Sequence, residues 1–208
     1  MTIVIFDMDG TLIDSKKDIT ISVNYVRDIN HNLPPLTQKY IVDVINMQER
    51  ELPKLFYNTD SYEKKDATIF EEHYLDQCIQ NLYLYEDILK LLQELKKESI
   101  KISVATNAPT KFAKKMLHHL GIEEMFDMIV GADMVRNSKP SPEMLELILK
   151  DYKFNSQEDS AYMIGDSIKD MKSAESAGIK PIFVKWGFSV DSFNYLTVEK
   201  PLEILNYV

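Results

Sequence analysis

Hydrophobic residues follow two different periods along this chain, and the change between them divides it. Ile3, Val4, Ile5 and Phe6 form an unbroken, β-branched apolar run, the pattern of a strand buried on both faces. From about Lys16 to Leu84 strand patterns disappear. Ile19, Val23 and Val26 mark one helical face that ends at Asn32 and Pro34-Pro35. Further helices are predicted from Thr37 to Asn46 and near Glu49 to Phe56. A long one, N-capped by Asp60 or Ser61, runs through Ala67, Phe70, Tyr74 and Ile79. After Tyr85 helix and strand alternate. Helical faces at Ile88, Leu91, Leu92 and Leu95, at Phe112, Met116 and Leu120, at Leu145, Ile148 and Leu149, and from Ile168 to Ala177 separate strands at Ile102 to Ala105, Met128 to Val130, Tyr162 to Ile164 and Ile182 to Val184. Five short strands alternating with helices predict an α/β fold, a doubly wound parallel sheet. Residues 1–15 and 85–208 make that core, and residues 16–84 an inserted all-helical domain expected to cover its carboxyl edge as a lid.

Composition narrows the partners. A formal net charge of -9 disfavours nucleic acid and anionic membrane surfaces, which require basic patches. If the ligand is itself an anion, local positive charge or a cation has to offset the field at its site. Cys78 is the single cysteine, so no intrachain disulfide forms and a reducing compartment fits. No apolar stretch reaches membrane-spanning length, and the N-terminal run leads straight into acids instead of a cleavage site. A cytoplasmic protein, a monomer or weak dimer, is expected.

Polar groups gather where the strands end. Asp7 and Asp9 follow the first strand and, two apart in extended chain, can face one crevice. Gly10 and Thr11 let the backbone turn and offer N–H groups to an anion. Ligands of open α/β sheets bind beyond the carboxyl ends of the strands. Thr106 and Asn107 end the second strand with neutral donors. Lys139 precedes Pro140-Ser141-Pro142, where Ser141 suits an N-cap and Pro142 the first helical position. Its ammonium is therefore expected on a stiff segment, able to neutralise a transferring phosphoryl group. Gly165, Asp166 and Ser167 end a further strand, with Asp170 one helical turn on. Four acids in one crevice repel unless a cation joins them, and few hard oxygen ligands suit Mg²⁺. Each segment has an ordinary reading as a turn, a solvated lysine or helix N-terminal acids. Their recurrence at the ends of four strands points to phosphoryl-transfer chemistry.

In these segments the chain resembles the haloacid dehalogenase-like hydrolase superfamily, specifically its phosphatases with a helical cap inserted after the first motif. Asp7-Met8-Asp9-Gly10-Thr11 is similar to the first motif, Thr106 to the second, Lys139 to the third, and Gly165-Asp166 with Asp170 to the fourth. The resemblance implies that Asp7 is a nucleophile forming an aspartyl-phosphate and Asp9 the general acid and base. It implies that Mg²⁺ is held by Asp7 and Asp166 and by the backbone carbonyl of Asp9, with Asp170 acting through water. Thr106, Lys139 and the N–H groups around Met8 to Gly10, with Asn107 as a further candidate, would hold the phosphoryl oxygens of a small phosphorylated metabolite.

Within the superfamily the chain most resembles phosphoglycolate phosphatases, through DGTLIDS and Trp186-Gly187-Phe188. It departs from them at Ala108, at Ser141, and at Glu86-Asp87 where Pro-Gly is frequent. Pyrophosphatase, nucleotidase and sugar-phosphate activities therefore stay open. So does a β-phosphoglucomutase-like mutase, although residues Thr37 to Phe56 carry no matching cap motif. A non-catalytic binding module is the remaining alternative. Tyr25, Arg27, Arg50 and Lys54 are candidates for reading the leaving group, with ordinary surface roles as the alternative.

Overall fold

The computed structural model describes residues 1–47, 51–61, 63–189 and 194–208. They form two compact units, Met1–Asp14 with Tyr83–Val208, and Ser15–Leu82. The first unit is built on a parallel sheet. Its strands are numbered in chain order. β1 is Thr2–Phe6, and the short β2 (Ile13–Asp14) and β3 (Tyr83–Leu84) pair antiparallel as a separate ribbon. β4 (Lys101–Ala105), β5 (Met128–Val130), β6 (Ser160–Gly165), β7 (Lys180–Val184) and β8 (Thr197–Val198) join β1 in the order β5-β4-β1-β6-β7-β8. Every pairing in that sheet is parallel. β1 lies near the middle, and Ile3, Val4, Ile5 and Phe6 are all fully buried, which explains the unbroken apolar run.

The second unit is all-helical: α1 (Lys16–His31), α2 (Gln38–Asn46), α3 (Leu52–Tyr57) and α4 (Lys64–Gln77). Val23, Val26, Ile41, Val44, Phe56 and Tyr57 form its core. α1 and α4 also share a polar seam. The buried Asp18 carboxylate accepts from Gln77 and Asn81, Ser22 bonds His73 at 2.9 Å, and Asp66 bonds Asn30 and His31 at 2.7 Å each. Buried polar pairs of this kind fix register, because a slip strands each group without a partner.

Helices α5 (Ile88–Lys97), α6 (Thr110–His119), α7 (Glu143–Asp151) and α8 (Ile168–Ser176) return to the first unit. Ile3 and Ile5 pack with Met144, Leu145 and Ile148 of α7 and Ala174 of α8. The fold is thus α/β, a doubly wound parallel sheet with an inserted helical cap. Among the described residues no helix is long and apolar enough to cross a membrane.

Several local expectations need correction. α4 starts at Lys64 with Glu63 at its N-cap, so neither Asp60 nor Ser61 caps it. Pro142, not Ser141, is the N-cap of α7, although Ser141 Oγ still accepts from the Glu143 N–H at 3.4 Å. The start of the third helix at Glu49 lies outside the described residues. The ribbon β2–β3 and the edge strand β8 have two residues each and leave no readable period. Asp87 takes the left-handed φ of 62° ahead of α5, a conformation Asp tolerates better than most residues and glycine best of all.

Candidate active site

Because β4, β1 and β6 are parallel neighbours, the residues that follow them emerge side by side: Thr106, Asp7 and Asp166. The Asp7 N–H extends the ladder by one bond, to the Ile164 carbonyl at 2.8 Å. Asp7 and Asp166 are both buried. The chain then turns sharply. The Met8 carbonyl accepts from the N–H groups of Thr11, Leu12 and Ile13 at 3.2, 2.9 and 3.1 Å, and Gly10 takes a φ of +88°. Met8 itself is fully buried. Gly10 donates its N–H to the Ile13 carbonyl at 2.9 Å, and Asp9, partly exposed, bridges to Ile13.

Lys139 is the centre of the site's electrostatics. Its ammonium, with 2% of the side chain exposed, contacts Asp7 Oδ1 and Asp170 Oδ1 at 2.6 Å each. Asn107 fixes the segment that carries it. The amide of Asn107 donates to the Lys139 carbonyl at 2.9 Å and accepts from its N–H at 3.0 Å. Thr106 is buried, and its Oγ1 accepts from the Ala108 N–H at 3.1 Å. Asp170 caps its own helix, since its Oδ2 accepts from the Ser167 N–H and Oγ at 3.0 and 2.6 Å. Both oxygens of Asp170 are therefore engaged.

Asp166 is held by a loop that follows β7. Its Oδ2 accepts from the N–H groups of Phe188 at 2.6 Å and Ser189 at 3.3 Å. Trp186 Nε1 donates to the Thr11 carbonyl at 2.9 Å, tying that loop to the first turn. A Cβ at Gly10 or at Gly187 would overlap the Asp166 side chain from either side. No larger residue fits there without displacing the carboxylate.

Charge in this crevice is unbalanced. Burial, with the Asp170 carboxylate adding to it, pushes Asp166 up to about 7, against the opposing Phe188 and Ser189 N–H bonds. Burial also raises Asp7 well above the usual carboxylate range. Lys139 opposes that rise, and Asp170 and Asp166 reinforce it. Burial alone would lower Lys139, but Asp170 and Asp7 outweigh it and hold the ammonium above its ordinary value. Asp7, Asp166 and Asp170 each offer an oxygen within 4.8 Å of the others. Three buried hard-oxygen donors with a surplus of negative charge fit a divalent cation.

Asp7, Lys139, Asp166 and Asp170 are thus brought together, while Asp9 lies outside the three-acid cluster. In the helical unit Tyr25 is exposed and stacks on His73 with ring centroids 4.0 Å apart. Arg27 is buried, and its guanidinium donates to the carbonyls of Pro34 and Phe56. Lys54 is solvated beside Glu51, and Arg50 lies outside the described residues. The loop from Trp186 to Ser189 is the part of the site that sequence reasoning used only as a likeness. Its signal was a glycine between two aromatic residues directly after a buried strand.

The family model for haloacid dehalogenase-like hydrolases matches residues 4–184. A phosphoglycolate phosphatase of Aquifex aeolicus is 30% identical over 192 residues, covering 90% of this chain and 86% of that protein. An N-acetylmuramic acid 6-phosphate phosphatase of Pseudomonas putida is 30% identical over 211 residues, covering 97% and 93%. Among solved structures, a haloacid dehalogenase-like family protein from Streptococcus pneumoniae superposes with a TM-score of 0.81 at 27% identity, covering 100% of this chain and 98% of the other. The chain belongs to the haloacid dehalogenase-like hydrolases. Within them, its fold and acid cluster make it a phosphatase.

Proposed function

We propose that the protein is a Mg²⁺-dependent phosphatase that hydrolyses a small phosphomonoester, phosphoglycolate first among the substrates, through an aspartyl-phosphate on Asp7. The observation that carries this reading is the buried set of Asp7, Asp166 and Asp170 around Lys139, at the carboxyl ends of adjacent parallel strands.

In this reading an Asp7 oxygen attacks phosphorus while the bond to the leaving oxygen breaks, and Asp9 delivers a proton to that oxygen. Water then attacks the phosphoryl group, Asp9 takes its proton, and the bond to Asp7 breaks to release phosphate. Lys139 and Thr106 balance and orient the phosphoryl oxygens, and most of the catalysis is positioning and electrostatics. Asn107 serves by fixing the Lys139 backbone. Asp7, Asp166 and the Asp9 carbonyl would hold Mg²⁺, with Asp170 acting through Lys139 or water. The ion would supply the charge neutralisation that the three clustered acids otherwise deny an anionic substrate. The phosphoglycolate assignment is supported by the likeness to phosphoglycolate phosphatases. The N-acetylmuramic acid 6-phosphate phosphatase relatives favour a sugar 6-phosphate as the second reading.

Hydrolysis of an aryl phosphate is expected to vanish in excess chelator and to return with Mg²⁺. Phosphoglycolate should give the highest kcat/KM of a phosphomonoester panel. Full activity in chelator contradicts the metal assignment, and a sugar 6-phosphate at the head of the panel contradicts the substrate but not the reaction.

A further inference from the structure

Tyr85 follows β3 in the sheet unit, and its N–H donates to the Leu12 carbonyl at 3.1 Å, which anchors it beside the turn that carries Asp9 and Gly10. Its ring meets Tyr83 edge-on, with centroids 6.4 Å apart. The two phenols differ sharply. Tyr83 is exposed and donates its hydroxyl to Asp14 Oδ2 at 2.7 Å. The Tyr85 hydroxyl is buried and has no hydrogen-bond partner among the described residues. Leaving a buried hydroxyl unpaired is destabilising, because its lost hydration is not replaced. The neighbouring acids do not relieve it. Asp14 accepts from Tyr83, Asp166 accepts from Phe188 and Ser189, and Asp9 is engaged in an interaction of its own.

The surroundings say what kind of group this hydroxyl is. Burial raises its pKa, and the Asp14, Asp166 and Asp9 carboxylates act on it in the same sense. It is a neutral donor at any physiological pH. It also stands in the field of an acid assigned to the metal and of the acid assigned to the leaving oxygen. A neutral donor left open among carboxylates can meet an anionic ligand without disturbing the charge balance that Lys139 sets.

We propose that Tyr85 is a further ligand-binding residue, whose hydroxyl donates a hydrogen bond to a phosphoryl oxygen of the bound substrate. The inference rests on the phosphomonoesterase reading. It adds to Thr106 and Lys139 a donor from the segment that follows β3. Sequence reasoning passed over Tyr85 because an isolated tyrosine at the end of a two-residue strand carries no motif.

Tyr85→Phe removes one oxygen and keeps the ring. Two readouts separate ligand binding from structure: the affinity for inorganic phosphate by calorimetry in Mg²⁺, and the thermal midpoint without ligand. The variant is expected to bind phosphate about tenfold or more weakly, with KM for an aryl phosphate raised by a similar factor. Its ligand-free midpoint should equal or exceed that of the wild type, because an unpaired buried hydroxyl has been removed. Unchanged phosphate affinity in an active enzyme overturns the role of Tyr85 and leaves the phosphatase reading standing. A markedly lower ligand-free midpoint also overturns it, since the hydroxyl would then be structural. A wild-type protein that neither binds phosphate nor hydrolyses any phosphomonoester overturns both readings together.

Discussion

Asp7→Asn is expected to lower phosphatase turnover by at least ~10⁴-fold while leaving the fold intact, because it removes the attacking oxygen's charge and nearly preserves its shape. The stability half of this result follows from the site's electrostatics. Burial and the Asp170 and Asp166 carboxylates already push the Asp7 carboxyl upward, so its charge is a burden on the metal-free protein. Lys139 keeps Asp170 at 2.6 Å after the change and is not left alone. The metal-free thermal midpoint should therefore hold or rise as turnover collapses. Residual turnover above a few per cent of wild type would show that another group attacks phosphorus.

The second large effect belongs to Lys139→Met. Lys139 and its two carboxylate partners are all buried, so removing the ammonium strands Asp7 and Asp170 in a poorly solvated crevice. Breaking a buried pair from one side typically costs about 3–5 kcal/mol. Turnover should fall by at least ~10²-fold through the lost stabilisation of phosphoryl charge. Denaturant midpoints measured with and without Mg²⁺ separate the two contributions, since added cation should restore part of the stability and little of the activity. A variant within about threefold of wild-type turnover and with an unchanged midpoint would make Lys139 a bystander.

What the sequence made legible followed from physical period and local chemistry. The run from Ile3 to Phe6 announced a doubly buried strand because both of its faces are covered. The acids at the ends of β1 and β6 could be placed together because parallel strands deliver their carboxyl ends to one edge. The partners within the site were less legible. That Lys139 touches both Asp7 and Asp170 depends on a contact across 132 residues for one and 31 for the other, which no local pattern encodes. A strand-end amide such as Asn107 suits a donor to ligand, and the structure also uses it on the Lys139 backbone, a pairing visible only once β4 and the segment before α7 are adjacent. Arg27 illustrates the same limit. A charged residue on a helix is usually solvated, but this one is spent on the Pro34 and Phe56 carbonyls inside its own unit.

Asp9→Asn offers the most direct view of the covalent step. This change leaves Asp7 in place and removes the proton donor and the base for water. An activated aryl phosphate needs little help from an acid in the first step, so the aspartyl-phosphate should form. Its hydrolysis should slow by about 10²–10⁴-fold, the usual worth of general acid–base catalysis. The measurement is intact-protein mass spectrometry after rapid quenching of Asp9→Asn with aryl phosphate and Mg²⁺, followed by mapping of the modified residue. One added phosphoryl group, persisting and located on Asp7, is the expected result. No adduct, or an adduct on any other residue, contradicts the assignment of Asp7 as the nucleophile.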